Sequence, residues 1–136
     1  MDLDEARKVV QDQHHAVLST LRADGTPQMT PVLATVDGEG RIVVSTTAGS
    51  TKVANLRRDP RAWLCVLPDQ FFGPWIQVEG NVKITELPEA MPLLEEYYRS
   101  ISGEHEDWES YRAAMRAEER VVVRVELTRA GPARSR

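Results

Sequence analysis

The sequence predicts a mainly β protein, an antiparallel barrel with peripheral helices, built as one domain over residues 1–136. Three observations predict it. About six strand-like segments and four short helical ones follow one another without β-α-β alternation, which disfavours a doubly wound parallel sheet. The first three strand segments are joined by short turns rich in Gly and Asp, the connection of an antiparallel meander. No internal repeat recurs, and 41% hydrophobic against 28% charged residues suits a chain that buries one core.

Residues 3–13 set Leu3, Ala6, Val9 and Val10 three and four apart, so an amphipathic N-terminal helix is expected within residues 1–13. The period then shortens to that of a strand over residues 16–21, closed by a turn at Asp24-Gly25 where glycine accepts positive φ. Residues 28–36 form the returning strand. Pro31 interrupts it, and because proline donates no ladder hydrogen bond it marks an edge, a bulge or a ligand-facing position. The turn Asp37-Gly38-Glu39-Gly40 leads to a third strand at 41–46.

A short helix is expected over residues 50–58, capped by Gly49 or Ser50 and stopped at Asp59-Pro60. Strands at 61–67 and 75–85 flank a loop containing Phe71 and Phe72, two aromatics that fit either packing beneath the loop or contact with a ligand or second protomer. Residues 89–101 and 107–118 carry helical apolar faces; Pro92 should delay the first, and Asp107 is the expected N-cap of the second. A β-branched strand at 120–127 and a frayed basic tail at 128–136 complete the chain.

Composition narrows the function. A net charge of −4 argues against non-specific nucleic-acid binding, which draws its affinity from phosphate neutralisation. No apolar run reaches the roughly 20 residues of a membrane span, and Met1-Asp2-Leu3-Asp4-Glu5 lacks signal-peptide character, so a cytoplasmic protein is expected, with no membrane partner. The single Cys65, within an apolar run, reads as a buried structural residue that forms neither a disulfide nor a thiolate metal site. No Walker loop, Gly-x-Gly-x-x-Gly, His-Glu-x-x-His or Gly-x-Ser-x-Gly motif occurs. The adjacent His14 and His15 point to opposite faces, His105 reads as a solvated loop residue, and no metal site is assigned.

Charge is unevenly spread. Residues 41–67 hold five bases against one acid, whereas residues 86–119 hold ten acids against three bases. An acidic chain with one basic stretch points to a local anionic ligand. Within that stretch, Ser45-Thr46-Thr47-Ala48-Gly49-Ser50-Thr51-Lys52 leaves a strand through hydroxyl and small residues and enters a helix. Free N–H groups at a helix start, hydroxyls and a lysine suit a phosphate, although an ordinary cap with a solvated charged face has the same spacing.

Asp24-Gly25-Thr26-Pro27-Gln28-Met29-Thr30-Pro31-Val32, the stretch from Ser45 to Lys52, and Asn55-Leu56-Arg57-Arg58-Asp59-Pro60-Arg61-Ala62 resemble the pyridoxamine-phosphate-oxidase-like split β-barrels. With Trp75-Ile76-Gln77-Val78-Glu79-Gly80 and the Tyr97 to His105 segment, they resemble more narrowly the F420-dependent oxidoreductases of actinobacteria. The resemblance implies a six-stranded, FMN-binding-like, homodimeric split barrel with cofactor sites between protomers. Gln28, Thr30, Pro31 and Val32 would line the deazaflavin ring, while Ser45, Thr46, Thr47, Ser50, Lys52 and Asn55 would hold the linker and phosphate. Trp75 and Gln77 would come from the other protomer, and Arg57 and Arg58 would steer an acidic tail or serve a structural role. Relatives often carry a second basic residue where Ser50 stands.

The reaction so implied is hydride transfer from reduced coenzyme F420 to an unsaturated or electron-poor small molecule, with no catalytic side chain assigned and water as a candidate proton donor. Three rivals share the fold: an FMN-binding member, a noncatalytic F420 carrier, and a haem protein in which His14, His15 or His105 would supply the ligand.

Overall fold

Period-two alternation of apolar residues in the strand segments builds a sheet with one face turned inward. In the computed structural model, which describes residues 1–132, seven strands form one antiparallel sheet in the order β2-β1-β5-β6-β7-β4-β3. They are β1 (His15–Leu21), β2 (Pro27–Leu33), β3 (Thr35–Val36), β4 (Ile42–Thr47), β5 (Arg61–Val66), β6 (Ile76–Thr85) and β7 (Arg120–Gly131). Helices α1 (Leu3–Asp12), α2 (Thr51–Arg58), α3 (Met91–Ser102) and α4 (Trp108–Ala117) flank the sheet, so the expected mainly β architecture with peripheral helices holds among the described residues.

The strand count corrects the expectation of six. Residues 28–36 break at Ala34, whose N–H donates to the His14 carbonyl at 2.8 Å, and Thr35 and Val36 then pair with Val43 and Ile42. One segment thus supplies both edges of the sheet, β2 and β3, and the sheet curls into a half-barrel that brings β2 back beside β4. Pro31 lies in edge strand β2, where its missing N–H costs no ladder bond. The tail is a second difference. β7 runs on to Gly131 because β6 offers ladder partners at Val78 and Gln77 for Ala130 and Gly131, while residues 133–136 lie outside the described residues.

Two cores result. Inside the curl, Leu18, Leu64 and Val78 occupy one row across β1, β5 and β6, and Ile42 and Val125 face them across the barrel, with Ala6 and Val10 of α1 closing the space. Outside the curl, α3 and α4 cover Val43 and Val122 with Ala90, Leu94 and Tyr111, and the Tyr111 hydroxyl donates to the Leu94 carbonyl at 2.8 Å. Asp107 caps α4 through the Ser110 N–H, and the helix over 91–102 starts late, with Pro92 in its first turn. At Gly80 the backbones of β6 and β7 approach so closely that a Cβ would stand 2.0 Å from the Glu126 carbonyl oxygen.

Candidate functional site

The end of β4 and the start of α2 form the most polar part of the curl's seam. Strand alternation turns Thr46 inward and leaves Ser45 and Thr47 on the other face, half-buried. The Thr46 hydroxyl donates to Ser50 Oγ at 3.3 Å, and Ser50 Oγ accepts the Val53 N–H at 3.4 Å, making Ser50 the N-cap of α2. Lys52 follows in the first turn.

Lys52 is half-buried and has no ion pair among the described residues. Burial pulls its ammonium below the usual lysine range, and the Arg120 guanidinium adds to that pull. Arg120 arrives through the β4–β7 register, which sets it opposite Thr47, and it pairs with Glu118 at 2.9 Å. A partly desolvated cation beside another cation, at the positive end of a helix, is short of negative charge. An anion docking there relieves both the desolvation and the repulsion.

On β2, Gln28, Thr30 and Val32 face into the curl and are half-buried, while Pro31 faces out and is exposed. One side of β2's backbone has no ladder partner, so its peptide groups are available to a ligand. Asn55 is only 2% exposed; its Nδ2 donates to Thr20 Oγ1 and Gln28 Oε1, both at 3.0 Å, and its Oδ1 accepts from Arg58 at 3.3 Å. Its amide is therefore inside the wall, where it ties α2 to β1 and orients Gln28. Arg57 instead pairs with Glu86 at 2.7 Å on the surface.

Trp75 and Gln77 lie elsewhere. The register puts Pro31, Val17, Cys65 and Gln77 in one row across β2, β1, β5 and β6 on the outer face, so three strand spacings, about 14 Å, separate Gln77 from β2. Gln77 is exposed, and Trp75 stands between two small cavities. One, of about 290 Å³, includes Gln77 and Arg129; the other, of about 240 Å³, is lined by Cys65, Leu67, Phe71 and Phe72. Phe71 and Phe72 are 66% and 84% exposed and stack edge-on at 5.0 Å, which corrects the packing alternative: nothing in the chain covers them among the described residues. Cys65 is half-buried rather than fully buried, and burial pushes its thiol up.

Two further residues stand at the seam that the sequence assigned no role there. Tyr97 of α3 donates its hydroxyl to the Leu33 carbonyl at 2.7 Å; burial pushes its phenol up, while the Ser45 backbone and Arg120 pull the other way. Tyr97 thus ties α3 to the end of β2; the sequence set it on a helical apolar face and in the segment that resembles the F420 branch, with no site role. Arg120 is the other, and no local pattern announces it, because only the β4–β7 ladder brings it to Thr47. His105, expected in solvent, packs against Tyr98, Trp108 and Tyr111, and its Nδ1 accepts the Asp107 N–H at 2.8 Å. The Nδ1 of His14 sits 2.8 Å from the Ala34 carbonyl. No helix among the described residues is long and apolar enough to cross a membrane.

These features define a split-barrel protein with a cationic cradle at its seam. The chain belongs to the pyridoxamine 5'-phosphate oxidase family, whose model matches residues 3–132. Among characterised relatives, an F420H(2)-dependent biliverdin reductase of Mycobacterium tuberculosis (strain CDC 1551 / Oshkosh) is 31% identical over 127 residues, covering 93% of this chain and 84% of the relative. That relative supports the resemblance to the F420 branch. The crystal structure of the conserved hypothetical protein Rv2991 from Mycobacterium tuberculosis matches with a TM-score of 0.77 at 29% identity, over 96% of this chain and 82% of that one. A solved F420 reductase shares the fold, with a TM-score of 0.70 at 24% identity over 92% and 94% of the two chains.

Proposed function

We propose that this protein is an F420H2-dependent reductase, acting as a cytoplasmic homodimer with its cofactor sites between protomers. The observation that carries the proposal is Lys52, a half-buried cation without an ion pair among the described residues, set at the first turn of α2 beside hydroxyls and an unpaired strand edge. A phosphorylated tricyclic cofactor matches that donor set: an anion for Lys52, hydroxyl partners in Ser45, Thr47 and Ser50, and a flat ring for the β2 backbone at Thr30, Pro31 and Val32. The F420H2-dependent relative favours the deazaflavin over FMN as the ring.

Bound F420H2 supplies the hydride that reduces an unsaturated or electron-poor organic substrate. The chain's own work is positioning. Lys52 and the α2 N-terminus hold the phosphate, Asn55 orients Gln28 toward the seam, and Tyr97 fixes the distance between the β2 and β4 ends. No side chain is assigned as acid or base, and solvent supplies the proton. The partner protomer contributes Trp75 and Gln77, because within one chain they are too far across the sheet to meet the same ring. The exposed Met29, Leu33, Phe71 and Phe72 give the two protomers an apolar surface to share.

The test is a titration of the purified protein with F420, FMN and haem, followed by fluorescence or absorbance, and then oxidation of the reduced winner with biliverdin and other electron-poor acceptors. Tight F420 binding with acceptor-dependent oxidation is expected. FMN winning clearly would overturn the cofactor assignment, and F420 binding without turnover on any acceptor would make the protein a carrier.

A further inference from the structure

A cavity of about 450 Å³ lies beside the β4–α2 cradle, with Tyr97 in its wall, between α3 and the outer face of β3, β4 and β7. The strand registers explain why it exists. Thr35, Val43, Arg124 and Lys83 form one row across β3, β4, β7 and β6, and residues paired directly across strands share a face. Val43 in this row and Val122 in the next row on the same face pack against the helices, but at Arg124 a long polar side chain enters the apolar layer. The space beside it is walled by Val43, Leu93 and Tyr97 and edged by the Thr35 and Ser100 hydroxyls, which hydrogen-bond to each other. Its volume is that of a small-molecule site.

Arg124 is only partly satisfied. One terminal nitrogen, Nη2, donates to Thr85 Oγ1 at 3.2 Å, whereas Nε is buried without an acceptor and the side chain has no ion pair among the described residues. The neighbouring acids are committed elsewhere. Glu96 pairs with Arg99 at 2.8 Å, Glu39 pairs with Arg41 at 2.9 Å, and Asp37 accepts the Glu39 and Arg41 N–H groups of its own turn. A charged donor buried without an acceptor is costly, and a planar carboxylate matches the guanidinium edge better than a point acceptor does. A dianion would sit against the three rim acids; a monocarboxylate has less charge to repel.

We propose that the cavity beneath α3 is a second ligand site, distinct from the Lys52 cradle, for a small amphipathic monocarboxylate whose head is held by Arg124 and whose apolar body packs on Val43, Leu93 and Tyr97. The probe is hexanoate, titrated calorimetrically into the full-length protein, with hexanamide as its uncharged counterpart. Saturable binding of one hexanoate per chain is expected, with hexanamide about tenfold weaker or worse and Arg124→Gln weakening hexanoate by about tenfold or more. F420 should neither displace hexanoate nor lose affinity in Arg124→Gln.

No saturable hexanoate binding below about 10 mM, a range in which even weak sites register, would overturn the proposal. Equal binding of hexanamide, equal binding by Arg124→Gln, or displacement by F420 would overturn it as well. Should Arg124→Gln fail to fold by circular dichroism, Leu93→Trp keeps the arginine and fills the space. Loss of hexanoate binding in that variant supports the site, and retention at full affinity refutes it.

Discussion

The two halves of the sheet's outer surface are finished differently. Over β4 and β7, α3 and α4 lay down Ala90, Leu94 and Tyr111, and an aromatic group of Tyr98, His105, Trp108 and Tyr111 locks the two helices together. Over the outer face of β2, β1 and β5 no helix lies among the described residues; Met29 is 67% and Leu33 42% exposed, with Phe71 and Phe72 at the far margin. The covered half is stabilised within one chain, whereas the bare half gains its burial only when something else covers it.

That contrast can be broken most sharply in the covered half. Leu94→Ala removes a fully buried side chain under α3 and should cost about 2–5 kcal/mol, read as a drop in melting temperature that does not depend on protein concentration. Gly80→Ala forces a methyl group against the Glu126 carbonyl, and a loss of about 1–3 kcal/mol or more is expected by chemical denaturation. A variant melting like the parent would mean that the β6–β7 crossing yields more than its geometry implies.

The bare half should answer in the opposite currency. Met29→Glu with Leu33→Glu ought to leave chain stability within about 0.5 kcal/mol, as exposed substitutions do, while sedimentation shifts from dimer to monomer and F420 affinity falls. Unchanged association would show that this surface is not where protomers meet. Tyr97→Phe removes one hydrogen bond to Leu33 and should cost about 1 kcal/mol, with F420 affinity reduced more than stability if the hydroxyl sets the seam's width.

Much of this was legible in the sequence because local chemistry and the fold agree. Gly25 does take positive φ, Ser50 and Asp107 do cap their helices, and Pro31 does mark an edge. The misses have a common cause. Residues 28–36 read as one strand because Thr35 and Val36 continue the β-branched pattern, and only the change of partner strand, from β1 up to Ala34 to β4 from Thr35, divides them. Arg129, Ala130 and Gly131 have weak strand character and are extended by their partners on β6. His105 sits in a run of Gly and charged residues that hides its aromatic neighbours. Within the seam, Lys52 and the hydroxyls beside it were readable from a contiguous motif; Arg120 arrives only through the β4–β7 register, and Tyr97, though in a segment that resembles the F420 branch, carries no local sign of its contact with Leu33.

The pH response follows from the same lysine. Its depressed pKa means that the charged form is disfavoured in the free fold, so chain stability should rise slightly as pH climbs through that value, and Lys52→Met should not destabilise. Binding has the reverse sign, because an anionic ligand needs the proton to be present. F420 affinity should therefore fall on the alkaline side, starting below the ordinary lysine range, and Lys52→Arg should flatten the fall.

The most direct measurement is the F420 dissociation constant of Lys52→Ala, compared with the parent at neutral pH in samples matched for folding and oligomeric state. Loss of a charge-assisted contact should weaken binding by about 1–3 kcal/mol, roughly 5- to 150-fold, with the melting temperature held. A folded Lys52→Ala protein that binds F420 as tightly as the parent would contradict the assignment of the β4–α2 seam as the cofactor's anchor.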